Sequence, residues 1–77
     1  MSIINEEHTA EAVKIMNVVL DLSAKRDAHD DGSSPLSAAD YITYGQQRAD
    51  AVLSFAQKFG VAYNNAEVTA WYQAQTN

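Results

Sequence analysis

Large apolar side chains are scarce in this sequence, and their scarcity limits the core that the chain can build. Apolar and aromatic residues make up 47% of its 77 residues, but thirteen of them are alanine, which leaves 23 larger ones. A core of that size gives only a few kcal/mol, so small proteins often add a disulfide, a metal or a second subunit. Because the chain has no cysteine, we expect one domain over residues 1–77 that associates with itself.

Apolar residues recur at helical spacing along the chain, and no segment alternates with a period of two. The first helix is predicted over about residues 6–26, with Asn5 as its N-cap and Lys25 and Arg26 at its negative end. Its apolar positions cover roughly half of the helix circumference, so it should meet two neighbours, either within the chain or across an oligomer. A polar segment containing glycine and proline, residues 27–35, should then break the chain.

Two further helices follow this break. The second is predicted over about 37–59, with Ser37 as its cap and Gly60 as a left-handed stop. The third, over about 65–75, begins after Asn64 or Asn65 and is too short to persist without docking, on its own hairpin or on another subunit. The predicted fold is therefore all-α: an antiparallel helical hairpin plus a short third helix, a small bundle.

The second helix carries the most regular pattern in the chain. Six apolar or small residues follow a spacing of four and three, as in the seam of a coiled coil: Ala38, Ile42, Gly45, Ala49, Val52 and Ala56. Small seam residues let two helix backbones approach closely, and a helical glycine costs about 1 kcal/mol relative to alanine without such a packing reason. We therefore predict that this seam joins copies of the chain into a homo-oligomer.

Charge and aromatic residues divide the chain into two halves. The formal net charge of −5 lies entirely within residues 1–40, whereas all seven aromatic residues follow residue 40. Such acidity argues against direct nucleic-acid binding, which needs clustered Lys and Arg. It suits a partner protein with a basic surface, and the predicted contacts are the acidic residues Glu6, Glu7, Glu11, Asp30 and Asp31 together with the aromatic residues Tyr44 and Tyr72.

Catalysis, metals and cofactors find little support in the sequence. Asp27, His29 and Asp31 precede Gly32 as in an EF-hand calcium loop, but Ala38 stands where the loop needs its bidentate glutamate. Ser33 and Ser34 have no base and orienting group on rigid elements nearby. We therefore predict no metal site, no cofactor and no enzymatic activity.

The sequence thus predicts a small, acidic, non-catalytic protein-interaction module. Its size, acidity, lack of cysteine and helical plan suit an accessory protein of a phage or mobile element that inhibits a host or defence protein by covering a basic surface. Without a signal sequence or a membrane span, the expected location is the cytoplasm, that of the host for a phage protein. Two alternatives stay open: an oligomer that sequesters a small anionic, nucleotide-like ligand at Lys25, Arg26 and Arg48, and a structural or assembly adaptor.

Overall fold

Three α-helices account for most of the molecule. The computed structural model describes residues 3–76, which contain no strand. A 3-10 turn at Glu6–His8 leads into α1 (Thr9–Asp30), which is followed by α2 (Ala38–Phe59) and α3 (Ala66–Thr76). Because α1 and α2 pack side by side as a hairpin and α3 packs on α1, the predicted all-α class with a short third helix is confirmed.

Short polar side chains begin the helical segments, as predicted, although Asn5 caps the 3-10 turn and α1 itself begins at Thr9 rather than near residue 6. The Asn5 Oδ1 atom accepts a hydrogen bond from the Glu7 N–H at 3.0 Å, and the Ser37 Oγ atom accepts one from the Asp40 N–H at 3.1 Å. The cap of α3 is Asn65 rather than Asn64, because the Asn65 Oδ1 atom accepts a hydrogen bond from the Glu67 N–H at 2.8 Å. Each bond satisfies a donor that the first helical turn leaves free.

The prediction that the first helix ends near Arg26 is wrong, because α1 continues by one turn to Asp30. The residues of that turn include no glycine or proline, and the stop is supplied later by Gly32 at φ 81°. Leu36 then donates its N–H to the His29 Nδ1 atom at 2.8 Å, which ties the following segment back to the helix. The connection between α1 and α2 therefore spans residues 31–37, and this hydrogen bond holds it against α1.

The core lies where all three helices meet. Its buried residues come from each of them and from the segment before α1: Ile4, Ala12, Met16, Phe55 and Val68. The prediction that α1 meets two neighbours is thus confirmed within the chain itself. Val19 and Leu22 continue the buried face of α1 toward the hairpin turn, where aromatic and polar contacts take over from aliphatic packing.

The third helix docks on its own hairpin. Val68 is fully buried, and Trp71 and Tyr72 pack partly buried against the core. The Tyr72 hydroxyl donates a hydrogen bond to Asn17 Oδ1 on α1. These contacts show that α3 docks within its own chain rather than on another subunit.

Two glycines of the chain should respond in opposite ways to alanine. Gly60 ends α2 in the left-handed region at φ 71°, where a Cβ atom is strained, so we expect Gly60→Ala to lower the free energy of unfolding by about 1 kcal/mol. Gly45 is helical, and an added Cβ would lie 3.6 Å from the nearest Arg26 atom, an ordinary contact. Gly45→Ala should therefore stabilise the chain by up to about 1 kcal/mol. Urea denaturation followed by circular dichroism measures both, and equal effects would contradict this account.

Candidate functional site

Two arginines meet in one groove beside the hairpin. The groove has a volume of about 510 Å³ and is lined by residues of α1, by one residue of α2 and by one of the segment after α2: Leu20, Ser23, Arg26, Asp27, Asp30, Arg48 and Tyr63. Arg26 and Arg48 were predicted as ligand-binding cations from separate helices. The antiparallel packing of α1 and α2 brings them to the same side of the molecule.

Arg26 is held against two residues of α2, Tyr41 and Gly45. Its guanidinium carbon lies 4.7 Å from the centroid of the Tyr41 ring, and its Nη2 atom donates to the Tyr41 hydroxyl at 3.0 Å. The same guanidinium covers Gly45. Its Nε atom is buried and has no hydrogen-bond partner in the described part of the chain, so this arginine is positioned mainly by stacking on an aromatic ring.

Arg48 is fixed by hydroxyl groups from two other segments. Its Nε atom donates to Ser23 Oγ at 2.7 Å, and its Nη2 atom donates to the Tyr63 hydroxyl at 2.8 Å. The guanidinium carbon also lies 5.7 Å from the centroid of that tyrosine ring. Both acceptors are uncharged, so Arg48 is oriented without being neutralised.

Lys25, the third predicted ligand-binding cation, does not join the two arginines. Its ammonium group pairs with Asp21 at 3.1 Å and lies 5.2 Å from the centroid of the Tyr44 ring. The Asp21 carboxylate raises the pKa of Lys25 through this hydrogen bond and its charge. The structure therefore places Lys25 with Tyr44, one of the predicted aromatic contacts, away from the residues that line the arginine groove.

Acidic residues gather at the hairpin turn. Asp30 ends α1, Asp31 follows it and Asp40 lies in the first turn of α2; these three residues are called the acidic tip below. Asp31 accepts hydrogen bonds from the N–H and the hydroxyl of Ser33 at 2.8 and 2.6 Å. The Ser33 hydroxyl and N–H lower the pKa of Asp31, which keeps this exposed carboxylate charged.

The turn that carries the acidic tip is rigidly built. The His29 ring packs on the Tyr41 ring with 4.7 Å between centroids, and its Nδ1 atom accepts from the Leu36 N–H. Ser33 bonds to Asp31 rather than to His29. The histidine and the serine are thus both engaged in holding the turn, and they do not form a nucleophile–base pair.

The other predicted acidic contacts lie at the opposite end of the molecule. Glu6 and Glu7 are exposed in the 3-10 turn, roughly 30 Å from the acidic tip at 1.5 Å per residue of α1. Glu11 forms an ion pair with Lys58 at the end of α2. The five predicted acidic residues therefore form two separate groups, and one of them, Glu11, is already paired within the chain.

The Glu11–Lys58 pair should make the stability of the protein depend on pH. The hydrogen bond and positive charge of Lys58 lower the pKa of Glu11. A lowered folded-state pKa means that the pair stabilises the protein above the unfolded-state pKa of Glu11, and that this contribution is lost as the pH falls through the folded-state value. We expect Lys58→Gln to raise the pKa of Glu11 toward its ordinary range in a side-chain carboxyl titration by NMR. An unchanged titration would show that the pair does not persist in solution.

The outer face of α2 is apolar and exposed. Ile42 is 59% exposed and Leu53 is 57% exposed, and Ala49 lies exposed between them. At about 100° per residue these three positions fall within an arc of roughly 40° on the helix. We call Ile42, Ala49 and Leu53 the outer strip of α2.

The predicted self-association seam is only partly on this outer strip. Ala38, Ile42 and Ala49 are exposed, whereas Val52 and Ala56 are half-buried. Gly45 faces the guanidinium of Arg26, so its neighbour is a side chain of the same chain. The seam is therefore rotated around α2 relative to the exposed face. Leu53, which the spacing pattern leaves out, is one of the most exposed large residues of that face.

Of the two predicted aromatic contacts, Tyr72 is taken up within the chain. Its ring packs against the core and its hydroxyl bonds to Asn17. Tyr44 is half-buried beside Lys25. Both rings are half-buried, and the large hydrophobic residues that are exposed in the described part of the chain are aliphatic.

Within the described part of the chain, no three His, Asp or Glu side chains cluster in a way that would hold a metal ion. No helix in residues 3–76 has the length and apolarity that crossing a membrane requires. Comparison of the chain with protein families, with curated proteins and with solved structures finds no match. The contacts of its own residues are therefore the basis for assigning a function.

Proposed function

We propose that this protein is a non-catalytic module that binds another protein through the outer strip of α2 and the acidic tip. The observation that carries the proposal is the exposure of Ile42 and Leu53, at 59% and 57%. Both belong to a chain that buries only seven hydrophobic residues among those described. Burial of two large aliphatic side chains by a partner contributes about 1.5–3 kcal/mol each, which is enough to anchor a small interface.

The positions of these two residues fit a helix face that packs on a flat partner surface. Leu53 follows Ile42 by three turns, about 16 Å along the axis. Ala49, between them, is small and allows close approach of a partner backbone. The interactions of α2 with the rest of the chain run through Arg48 and Phe55 on other sides of the helix, so the outer strip is left for another molecule.

The acidic tip gives the surface its electrostatic preference. Asp40 lies two residues before Ile42, and Asp30 and Asp31 lie across the turn from it. Asp40 lies on the opposite side of α2 from Ile42, so a partner that covers Ile42 meets these carboxylates where it extends past the start of the helix. Basic side chains at that point would speed association and exclude acidic partners. The expected partner thus combines an apolar patch with a basic rim.

A module of this kind acts by occupying a surface of its partner. If the basic rim of the partner normally binds nucleic acid, the bound module blocks that binding, as an inhibitory accessory protein of a phage or mobile element would. Such a role places the protein with its target in the cytoplasm. An assembly adaptor remains the second candidate, because the same exposed strip supports stable packing between copies or in a larger particle.

Self-association uses the same outer strip in this proposal. In a two-fold antiparallel pair of α2 helices, Ile42 of one copy lies opposite Leu53 of the other, with Ala49 near the axis, so one strip serves both partners of a symmetric interface. The acidic tip of each copy then lies near the end of the other α2. The homo-oligomer and the heterologous complex compete for one surface.

Charge reversal at the two ends of α1 tests the partner proposal. Tagged wild type, Asp30→Lys/Asp31→Lys and the matched control Glu6→Lys/Glu7→Lys are used for affinity capture from cells that produce the protein, with partners identified by mass spectrometry. We expect the tip variant to lose a basic partner that the control retains. Equal capture by the tip variant and wild type would contradict the role of the acidic tip.

A further inference from the structure

We propose that the groove between α1 and α2 that contains Arg26 and Arg48 binds a small zwitterion, with its acidic group on Arg48 and its ammonium group at Asp27 and Asp30. This site is separate from the outer strip of α2. The proposal does not depend on the protein-binding function, since a different face of the molecule carries it.

The cationic end of the groove is formed by Arg48. A guanidinium offers five N–H donors, and two of those of Arg48 are used, by Ser23 and Tyr63. The ion pairs within residues 3–76 are Lys25–Asp21 and Lys58–Glu11, so Arg48 has no carboxylate within ion-pairing distance. A half-buried arginine that is oriented by hydroxyls and lacks a counter-charge is suited to a carboxylate or phosphate group of a ligand.

The remaining charges of the groove exclude a simple polyanion site. Asp27 and Asp30 line the same groove as the two arginines, and two carboxylates there would repel a second negative charge on a ligand. Neither of them forms an ion pair within residues 3–76. The groove therefore presents two positive and two negative groups, which matches a ligand that carries both signs.

The spacing along α1 sets the length of that ligand. Ser23 marks the position of Arg48, because the two side chains are bonded. Asp27 follows Ser23 by four residues, about 6 Å along the helix axis. Arg26 donates to the Tyr41 hydroxyl, which in turn donates to Asp30. Arg26 is therefore engaged at the carboxylate end of the groove, and Arg48 is left to bind the anionic group. A ligand with its charged groups about one helical turn apart fits this arrangement.

The apolar wall of the groove completes the fit. Leu20 lines it and is 43% exposed, and the ring of Tyr63 forms part of its lining. A short aliphatic chain between the two charged groups would lie against these side chains. Linear ω-amino acids have this composition, so 4-aminobutyrate is a direct probe, and butyrate and butylamine carry its two charges separately.

The experiment is an NMR titration of the full chain with each of the three probes, followed at the Arg48 Nε–H and at the backbone amides of Ser23 and Tyr63. We expect saturable shifts with 4-aminobutyrate and at least fivefold weaker binding of butyrate and of butylamine. Arg48→Gln should weaken 4-aminobutyrate binding at least tenfold, whereas Lys14→Gln, which removes a positive charge outside the groove, should leave it unchanged.

A second variant keeps the test independent of the stability of Arg48→Gln. Asp27→Asn/Asp30→Asn leaves the arginines in place and should abolish the preference for 4-aminobutyrate over butyrate. The absence of saturable shifts at Arg48 with 4-aminobutyrate would overturn the proposal. So would equal affinity for butyrate and 4-aminobutyrate in the wild-type chain, since the carboxylates of the groove would then have no role in recognition.

Discussion

Replacing Phe55 with alanine should remove a large part of the free energy of unfolding of this chain. Phe55 is fully buried and packs edge-on against Phe59 with 4.8 Å between ring centroids. It is the only buried residue that α2 contributes, so its ring is the main apolar contact between α2 and the rest of the core. A buried phenylalanine replaced by alanine costs about 3–5 kcal/mol, while the total stability expected for a chain of this length is about 4–12 kcal/mol.

The measurement is urea denaturation of Phe55→Ala followed by circular dichroism, with Leu53→Ala as the matched control. The two positions lie two residues apart on one helix, but Leu53 is 57% exposed and its truncation should change the free energy of unfolding by about 0.5 kcal/mol or less. Phe55→Leu should fall between them. Similar losses for Phe55→Ala and Leu53→Ala would show that α2 does not face α1 as described.

Replacing the two large residues of the outer strip should have the opposite signature, with binding lost and folding kept. We expect Ile42→Gln/Leu53→Gln to weaken partner binding at least a hundredfold, because both anchors together contribute about 3–6 kcal/mol. The free energy of unfolding should change by about 0.5 kcal/mol or less, because both side chains are exposed in the folded chain. Light scattering of the variant should also show a monomer at concentrations where wild type associates.

The control for this variant is Val18→Gln on α1. Val18 is 42% exposed and lies in a shallow groove with Ile15 and Ala51, away from the outer strip. The control therefore removes comparable apolar surface from another face. If Val18→Gln weakened binding as much as the strip variant, the contact would not be specific to α2, and if neither had an effect, the proposed surface would be wrong.

Local signals in the sequence were sufficient for the helices. The caps at Asn5 and Ser37 and the stop at Gly60 each depend on residues within one turn, and the structure has all three. The end of α1 was predicted too early because Lys25 and Arg26 suit a helix end, although nothing in the next turn breaks a helix. Charge at a helix end is a weaker signal than the left-handed glycine that follows at Gly32.

The face of α2 that packs on α1 was harder to predict, because its residues are not uniformly apolar. Tyr41, Arg48 and Phe55 recur every seven residues and all contact the rest of the chain. Two of the three are polar, so a search for apolar periodicity favours the neighbouring row of small residues instead. Arg26 of α1 and Arg48 of α2 take part in this packing through hydrogen bonds to the hydroxyls of Tyr41 and Tyr63.

The candidate sites depend on pairings between distant positions, which single-sequence patterns do not contain. Ser23 and Arg48 are 25 residues apart, and Arg48 meets Tyr63 only because the chain turns back after α2. The polar segment 27–35 did indicate an acidic turn, since its carboxylates are consecutive in sequence. What the sequence lacked was the register of the hairpin, which decides that Asp30 at the end of α1 lies beside Tyr41 at the start of α2.

The central claim is that another protein binds the outer strip of α2, and site-specific photo-crosslinking tests it most directly. A photoreactive phenylalanine analogue is placed at Leu53, and at Gln73 on the exposed side of α3 as the control, in cells that produce the protein. The account predicts a discrete crosslinked partner, or a second copy of the chain, from position 53 and no such product from position 73. A product from position 73 with none from position 53 would contradict it.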